Sequence, residues 1–378
     1  MKKYKICFWL NVPSNHQTLF LDELNISDKI DLKVCYFAKP SSDRLKMGWR
    51  DESNLKNYEF YIKNSNEKFI EIEDWKERIH IVMGYSYKFN RELIPIFIKN
   101  NVKWIHWSER YGIKLAELLN FNTFLFKLIY PLFLLTKKTY ANLVQKYAFG
   151  CFSQGYLAKK DFIKLGIDKK KIRDLYYTTL PLNRLASNEN ILGSFSYKYI
   201  FIYVGRLNPR KGISELIIAF STLKNKEEWG LLLIGEDESS GYYKTMIQDK
   251  SLQNSILCTG SIHSDRVVSF LNKASVFVLP SKYDGWGAVL NESASIGLAL
   301  ISTDQTGSAY HLIEEEKNGY IVEAGNVEAL NESMQKYVNN HKLIEAHSIH
   351  SKKISDRFTP KANVKRFLNA LNEWSEKV

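Results

Sequence analysis

The feature that most constrains the fold is the regular alternation of short apolar runs with segments whose apolar residues recur at helical spacing. It begins with Tyr4 to Val12 extended, Gln17 to Leu24 helical, Asp31 to Phe37 extended and Ile79 to Met83 extended. Glu92 to Lys99 then reads as a helix, Lys103 to Trp107 and Phe149 to Ser153 as strands, and Ala158 to Leu165 as a helix. Strands alternating with helices build parallel sheets with crossover helices, so the chain is α/β.

A loop-like stretch rich in Asn, Ser and Gly, Pro181 to Ser196, interrupts the pattern, which then starts afresh. Tyr197 to Val204 reads as a buried strand. Ile213, Leu216, Ile217, Phe220 and Leu223 share one helical face, and Leu231 to Ile234 and Ser275 to Leu279 are further strands. Ala288 to Ile296 is a helix stopped at Gly297, and Leu298 to Ser302 follows as a strand. At 378 residues the chain exceeds what one core organises, so two domains are expected: 1–182, a linker 183–196, and 197–358. Val364, Phe367, Leu368 and Leu371 make 360–378 an amphipathic terminal helix, expected to pack back on the N-terminal domain.

Hydrophobic residues at 45% and charged residues at 25% fit a folded globular chain and exclude disorder. The basic start is followed by no small-residue cleavage site, so no signal peptide is expected. Cys7, Cys35, Cys151 and Cys258 are scattered without zinc-type spacing and are expected to be reduced and mostly buried. The net charge of +12 favours anionic partners, namely nucleotide phosphates, an acidic membrane surface or nucleic acid.

Two strand-to-helix loops carry chemistry. Gly205 to Gly212 places Arg206, Arg210 and Lys211 at the carboxyl end of a parallel strand, where ligands of open α/β sheets bind. Arg206 and Lys211 there suit a diphosphate, and a solvated basic turn is the competing reading. Pro280 to Glu292 again runs from a strand through a Gly-rich loop into a helix, whose start offers free N–H groups to an anion. Gly285 and Gly287 let the backbone approach a ligand, with Trp286, Ala288 and Val289 beside them. Asp284 and Glu292 suit sugar or ribose hydroxyls better than phosphate; alone, they would read as a cap and a solvent-facing residue.

The second half resembles the donor-binding domain of retaining GT-B glycosyltransferases, notably glycosyltransferase family 4, the glycosyl transferases group 1. Gly205, Arg206, Lys211 and Gly212 match its Gly-Arg and Lys-Gly elements. Asp284 and Glu292, with seven residues between them, are similar to its paired glutamates, with Asp in the first position. The resemblance implies two Rossmann-like β/α/β domains facing each other across a cleft. It implies diphosphate contacts for Arg206 and Lys211, a donor-sugar role for Asp284, a ribose role for Glu292, and backbone reading of the nucleobase near Ser261 and Ile262. In the N-terminal half, Asn15 in the loop Pro13 to His16 stands where the family has a donor-side turn, without its glycine. His106, at a strand end, matches a position near the reacting sugar in relatives, while strand alternation equally makes it a core residue.

The implied activity is transfer of a sugar, with retention, from a nucleotide sugar such as a UDP- or GDP-sugar to a glycan acceptor. No other cofactor is implied, and the chain has no Asp-x-Asp triplet to hold a metal. Residues 115–144 are strongly apolar with interspersed lysines but broken at Asn122, Lys127 and Pro131, short of the roughly 20 residues of a spanning helix. An interfacial hairpin on an anionic leaflet and a buried interlobe helix are the two readings, with the basic run 159–173 supporting the first. The first implies a cytoplasmic protein, peripheral on the inner face of the membrane, acting on a lipid-linked glycan in bacterial surface polysaccharide assembly. An epimerase or hydrolase on the same fold is the alternative; a nucleic-acid-binding protein leaves the ordered motifs unexplained.

Overall fold

The computed structural model describes residues 3–46, 49–62, 72–84, 88–182 and 191–376; the N-terminal part of the expected linker, 183–190, lies outside them. The described residues form two compact units. The first comprises Met1–Tyr111, Leu132–Thr178 and Pro360–Val378, the second Gly112–Pro131 and Thr179–Thr359. Residues 112–131, which the order along the chain would place in the N-terminal domain, thus cluster with the second unit.

Along the chain come β1 (Tyr4–Leu10), α1 (Asn15–Asn25), β2 (Ile30–Tyr36), α2 (Ser42–Lys46), β3 (Glu59–Tyr61), β4 (Ile79–Met83), α3 (Lys88–Lys99) and β5 (Trp104–Ser108). Then follow α4 (Ile113–Leu118), α5 (Thr123–Leu135), α6 (Lys138–Tyr147), β6 (Gly150–Ser153), α7 (Tyr156–Lys164) and β7 (Ile172–Asp174). Among the described residues the first sheet holds seven parallel strands ordered β3-β2-β1-β4-β5-β6-β7. The period-2 geometry of β1 sends Ile6, Phe8 and Leu10 to one face, against Phe20, Leu21 and Leu24 of α1. Trp9 goes to the other, stacking on His80 and packing against Phe97 of α3.

The second unit continues with β8 (Tyr199–Val204), α8 (Ile213–Ser221), β9 (Trp229–Ile234), α9 (Tyr242–Asp249), β10 (Ile256–Gly260), α10 (Ser264–Lys273), β11 (Val276–Leu279) and α11 (Val289–Ile296). Next are β12 (Ala299–Thr303), α12 (Ala309–Leu312), β13 (Gly319–Val322), α13 (Val327–Asn339) and α14 (Lys342–Ser355), and the chain ends on α15 (Pro360–Ser375). Its sheet runs β10-β9-β8-β11-β12-β13, again all parallel. Both faces of this sheet are covered, which is why its strands read as near-continuous apolar runs such as Trp229–Ile234, every residue of which is buried.

Helix α15 returns to the first unit. Phe367 stacks on Phe152 with ring centroids 5.4 Å apart, and Trp374 lies over the backbone of Gly150. Three short strands, β3, β7 and β13, have no periodic signature of their own and escape a reading by hydrophobic pattern. Cys7, Cys35 and Cys151 are buried free thiols, and Cys258 is an exposed one.

Candidate active site

In the second sheet the strand order reverses between β8 and β11, and the two chemistry-bearing loops leave the carboxyl ends of those two strands. Such a switch point opens a crevice, because the crossovers on either side run to opposite faces.

The loop after β8 is held by its own polar groups. Asn208 caps the turn Pro209–Lys211 by accepting from the Lys211 N–H, and Tyr203 donates its hydroxyl to the Arg206 carbonyl. Gly212 has φ +71°, and a Cβ there would stand 2.1 Å from the Pro280 oxygen. Gly235, after β9, has φ +145° and would carry a Cβ 1.9 Å from the Gly205 oxygen. Only glycine permits both the left-handed backbone and these approaches. The Lys282 N–H donates to the Arg210 carbonyl at 2.8 Å, tying the β8 loop to the β11 loop.

That tie brings Lys211 and Asp284 together. Lys211 Nζ lies 2.5 Å from Asp284 Oδ2, with both side chains largely out of solvent. Burial alone would raise the Asp284 carboxyl, but Lys211 and Arg210 beside it outweigh that and hold it below the usual carboxylate value. For Lys211, burial and the neighbouring Arg210 and Arg206 favour the neutral form against the pull of Asp284, and its pKa falls below the ordinary lysine value. Arg206 is more exposed and pairs with Glu238 at 2.7 Å, which also takes a bond from Asn208. These partners keep the Glu238 carboxyl ionised below its usual range despite its burial. Sequence alone does not single out Glu238; the signal is the strand-end Gly235 followed by three acids.

Asp284 is fixed through its backbone as well. Its N–H donates to the Gln305 carbonyl at 3.0 Å, and the Gly307 N–H donates to the Asp284 carbonyl at 3.1 Å. Helix α11 begins at Val289, capped at Ala288, and stops at Gly297. The first backbone bonds of this turn run from Leu290 to Gly287 and from Asn291 to Ala288. Among the described residues the N–H groups of Gly287, Ala288 and Val289 meet no backbone acceptor, as expected of a helix start. Glu292 sits in the first helical turn and keeps some exposure, yet the surrounding protein desolvates its carboxyl and lifts its pKa to about 7.

Other residues singled out from sequence lie elsewhere. The Trp286 side chain is buried, donates to Asn291 Oδ1 and stacks on His311, so it is a packing residue and only its backbone borders the loop. Ser261 and Ile262 follow β10 in an irregular segment, with Ser261 exposed. Asn15 opens α1 at the carboxyl end of β1. His106 is fully buried in the first unit: Tyr140 meets Nδ1 at 2.8 Å, Ser108 meets Nε2 at 2.9 Å, and Phe162 packs edge-on to the ring. Burial drives its pKa down to about 3, so it is a neutral core imidazole with no face free to touch a sugar. The structure thus places His106 in the core of the first unit.

Residues 186–356 match the family described as glycosyl transferases group 1. That segment contains both loops and every residue of the Arg206, Lys211, Asp284 and Glu292 constellation. Over 187 residues the chain is 30% identical to the capsular polysaccharide biosynthesis glycosyltransferase CapM of Staphylococcus aureus, covering 49% of this chain and 44% of CapM. The chain thus spans less than half the length of that relative. In structure it is similar to the apo form of the lipopolysaccharide outer core galactosyltransferase WaaB, with a TM-score of 0.73 and 16% identity over 99% of this chain and 100% of that one. It is also similar to Anabaena HepE in complex with UDP-glucose, with a TM-score of 0.71 and 14% identity over 97% and 99% of the two chains. Two Rossmann-like domains with these neighbours make the fold GT-B.

Proposed function

We propose that the chain is a glycosyltransferase that moves a sugar from a nucleotide-sugar donor to a glycan acceptor, with retention of configuration and without a metal. The observation that carries this reading is the convergence, at one switch point, of Lys211, Arg206, the free N–H groups at the start of α11 and the desolvated Glu292. Departure of a nucleoside diphosphate develops negative charge on phosphate oxygens, and preorganised cations and backbone dipoles in a dry site stabilise it. Lys211 and Arg206 would exchange their carboxylate partners, Asp284 and Glu238, for the diphosphate when donor arrives. Asp284, released from Lys211, would turn to a donor-sugar hydroxyl, and ionised Glu292 would accept from the ribose.

The relatives support a place in surface polysaccharide assembly, and UDP-glucose in one structural neighbour supports a UDP-sugar as the first donor to try. We further propose that the chain works peripherally on an anionic membrane, where a lipid-linked acceptor would present its glycan. The support is α5, which carries an exposed apolar face.

A panel of UDP-, GDP- and ADP-sugars, scored by thermal shift and then by nucleotide release, identifies the donor. Lys211→Ala and Glu292→Gln should each cut turnover at least about a hundredfold while circular dichroism stays native. Wild-type turnover in both folded variants would overturn the assignment.

A further inference from the structure

We infer that α5 is a lipid-docking element built into the donor loop, so that contact with an anionic bilayer tightens donor binding; this rests on the membrane reading above. Residues 115–144 are divided among α4, α5 and α6. They are not buried throughout: Phe124, Leu128, Leu132 and Leu135 are 75%, 65%, 69% and 63% exposed, with Leu125 beside them at 39%. Their spacing puts all five on one side of the helix.

The other side of α5 packs inward. Phe126 is buried, stacks on Tyr130 and meets the ring of Tyr283 edge-on at 5.6 Å. Tyr283 immediately precedes Asp284. Lys127 reaches Asp304 at 3.2 Å and Glu323 at 2.7 Å. Asp304 precedes Gln305, whose carbonyl receives the Asp284 N–H. Two separate connections, one aromatic and one ionic, therefore run from α5 to the turn that places Asp284 against Lys211.

The composition of the segment selects the occupant of the outer face. From Leu118 to Tyr147 there is no Asp or Glu, while Lys137 and Lys146 follow the apolar face along the chain and Lys138 donates to the Leu165 carbonyl. An apolar stripe with lysines and no acids suits the interface of an anionic leaflet, where leucines enter the acyl boundary and lysines meet the headgroups. No helix among the described residues is long and apolar enough to cross a membrane, so α5 would lie on the surface. Not all of the basic run 159–173 is available for this: Lys159 pairs with Asp174, Lys171 donates to the Val144 and Gln145 carbonyls, and Arg173 pairs with Glu373.

The physical basis of the coupling is order. Pro131 lies inside α5, where it lacks the N–H that would bond to the Lys127 carbonyl and so loosens the helix at its middle. Burying the outer face in lipid holds α5 in one position. Phe126 and Lys127 then hold Tyr283 and Asp304, so that the Asp284 turn keeps its place when Lys211 gives up Asp284 for the donor.

The full-length chain is floated with vesicles of phosphatidylcholine alone or with added phosphatidylglycerol, and its affinity for UDP-glucose, or for the donor found in the panel, is measured with and without them. Binding to the anionic vesicles only, with donor affinity at least about fivefold tighter there, is the expected result. The doubly substituted chain Leu128→Glu, Leu132→Glu should lose both flotation and the vesicle effect while keeping its vesicle-free donor affinity. The double variant Phe126→Leu, Lys127→Ala, which cuts both connections, should keep flotation and lose the vesicle effect. Flotation without any change in donor affinity overturns the coupling and leaves the membrane reading standing. Absence of flotation, or self-association through this face seen by light scattering, overturns both. Failure of every donor to bind with or without vesicles instead overturns the glycosyltransferase reading.

Discussion

Among single residues, Glu292 has the clearest pH signature. Its carboxyl, near 4.5 when unfolded, is lifted to about 7 in the fold by desolvation. The folded chain therefore retains a proton that the unfolded chain has released as pH rises from 4.5 to 7, and stability falls across that window by up to about 3 kcal/mol. Glu292→Gln should melt higher than wild type at pH 8 and equally at pH 4, with equal melting at both pH values counting against the desolvated carboxyl. In the proposed role the ionised form binds ribose, so wild-type donor affinity should increase as pH rises through 7, and the Gln variant should show no such rise. Lys211 and Asp284 behave oppositely. Asp284 is depressed below its ordinary value, so the stability from the pair is present at neutral pH and is lost in acid as the carboxylate protonates. Asp284→Asn leaves a buried ammonium without its counter-ion and should lower urea-derived stability by about 3 kcal/mol at pH 7, with a smaller loss near pH 3.

At the scale of elements, the site depends on loops that interlock at their glycines. A side chain at Gly212 would meet the Pro280 carbonyl, and one at Gly235 the Gly205 carbonyl, each from a left-handed backbone. Gly212→Ala should cost about 2 kcal/mol or more, and donor affinity should fall further than stability does, because the displaced Pro280 belongs to the Asp284 loop. Calorimetric titration beside denaturant melts separates the two effects; unchanged affinity in a folded Gly212→Ala chain would show that this close approach does not position the donor loop. Helix α11 follows the same logic: Leu290, Ala294 and Ile296 are fully buried, which holds its N-terminus where the loop ends.

At the scale of the whole molecule, the chain builds two parallel sheets and then sends α15 back to the first. Val364, Phe367, Leu371 and Trp374 join the core formed by β1, β5, β6 and α1. Trp374→Ala should therefore destabilise the first unit by about 4 kcal/mol, and limited proteolysis should cut that unit before the second. The α/β class and the two motif loops were legible in sequence because they rest on local rules: periods of 2 and 3.6, glycine at strand-to-helix turns, and cations beside acids. β3, β7 and β13 were not, because each is a short edge strand that forms by pairing with one neighbour already in place. His106 was undecidable from its strand, since alternation allows either face, and only the packing of Tyr140 and Phe162 encloses it. The sequence by itself determined the parallel architecture and which strand-to-helix loops carry cations beside acids, because propensity and residue chemistry act locally. Only the tertiary structure decided that Lys211 meets Asp284, that Arg206 meets Glu238, and that residues 112–131 join the second unit, because these partners come from distant segments brought together by sheet order and burial.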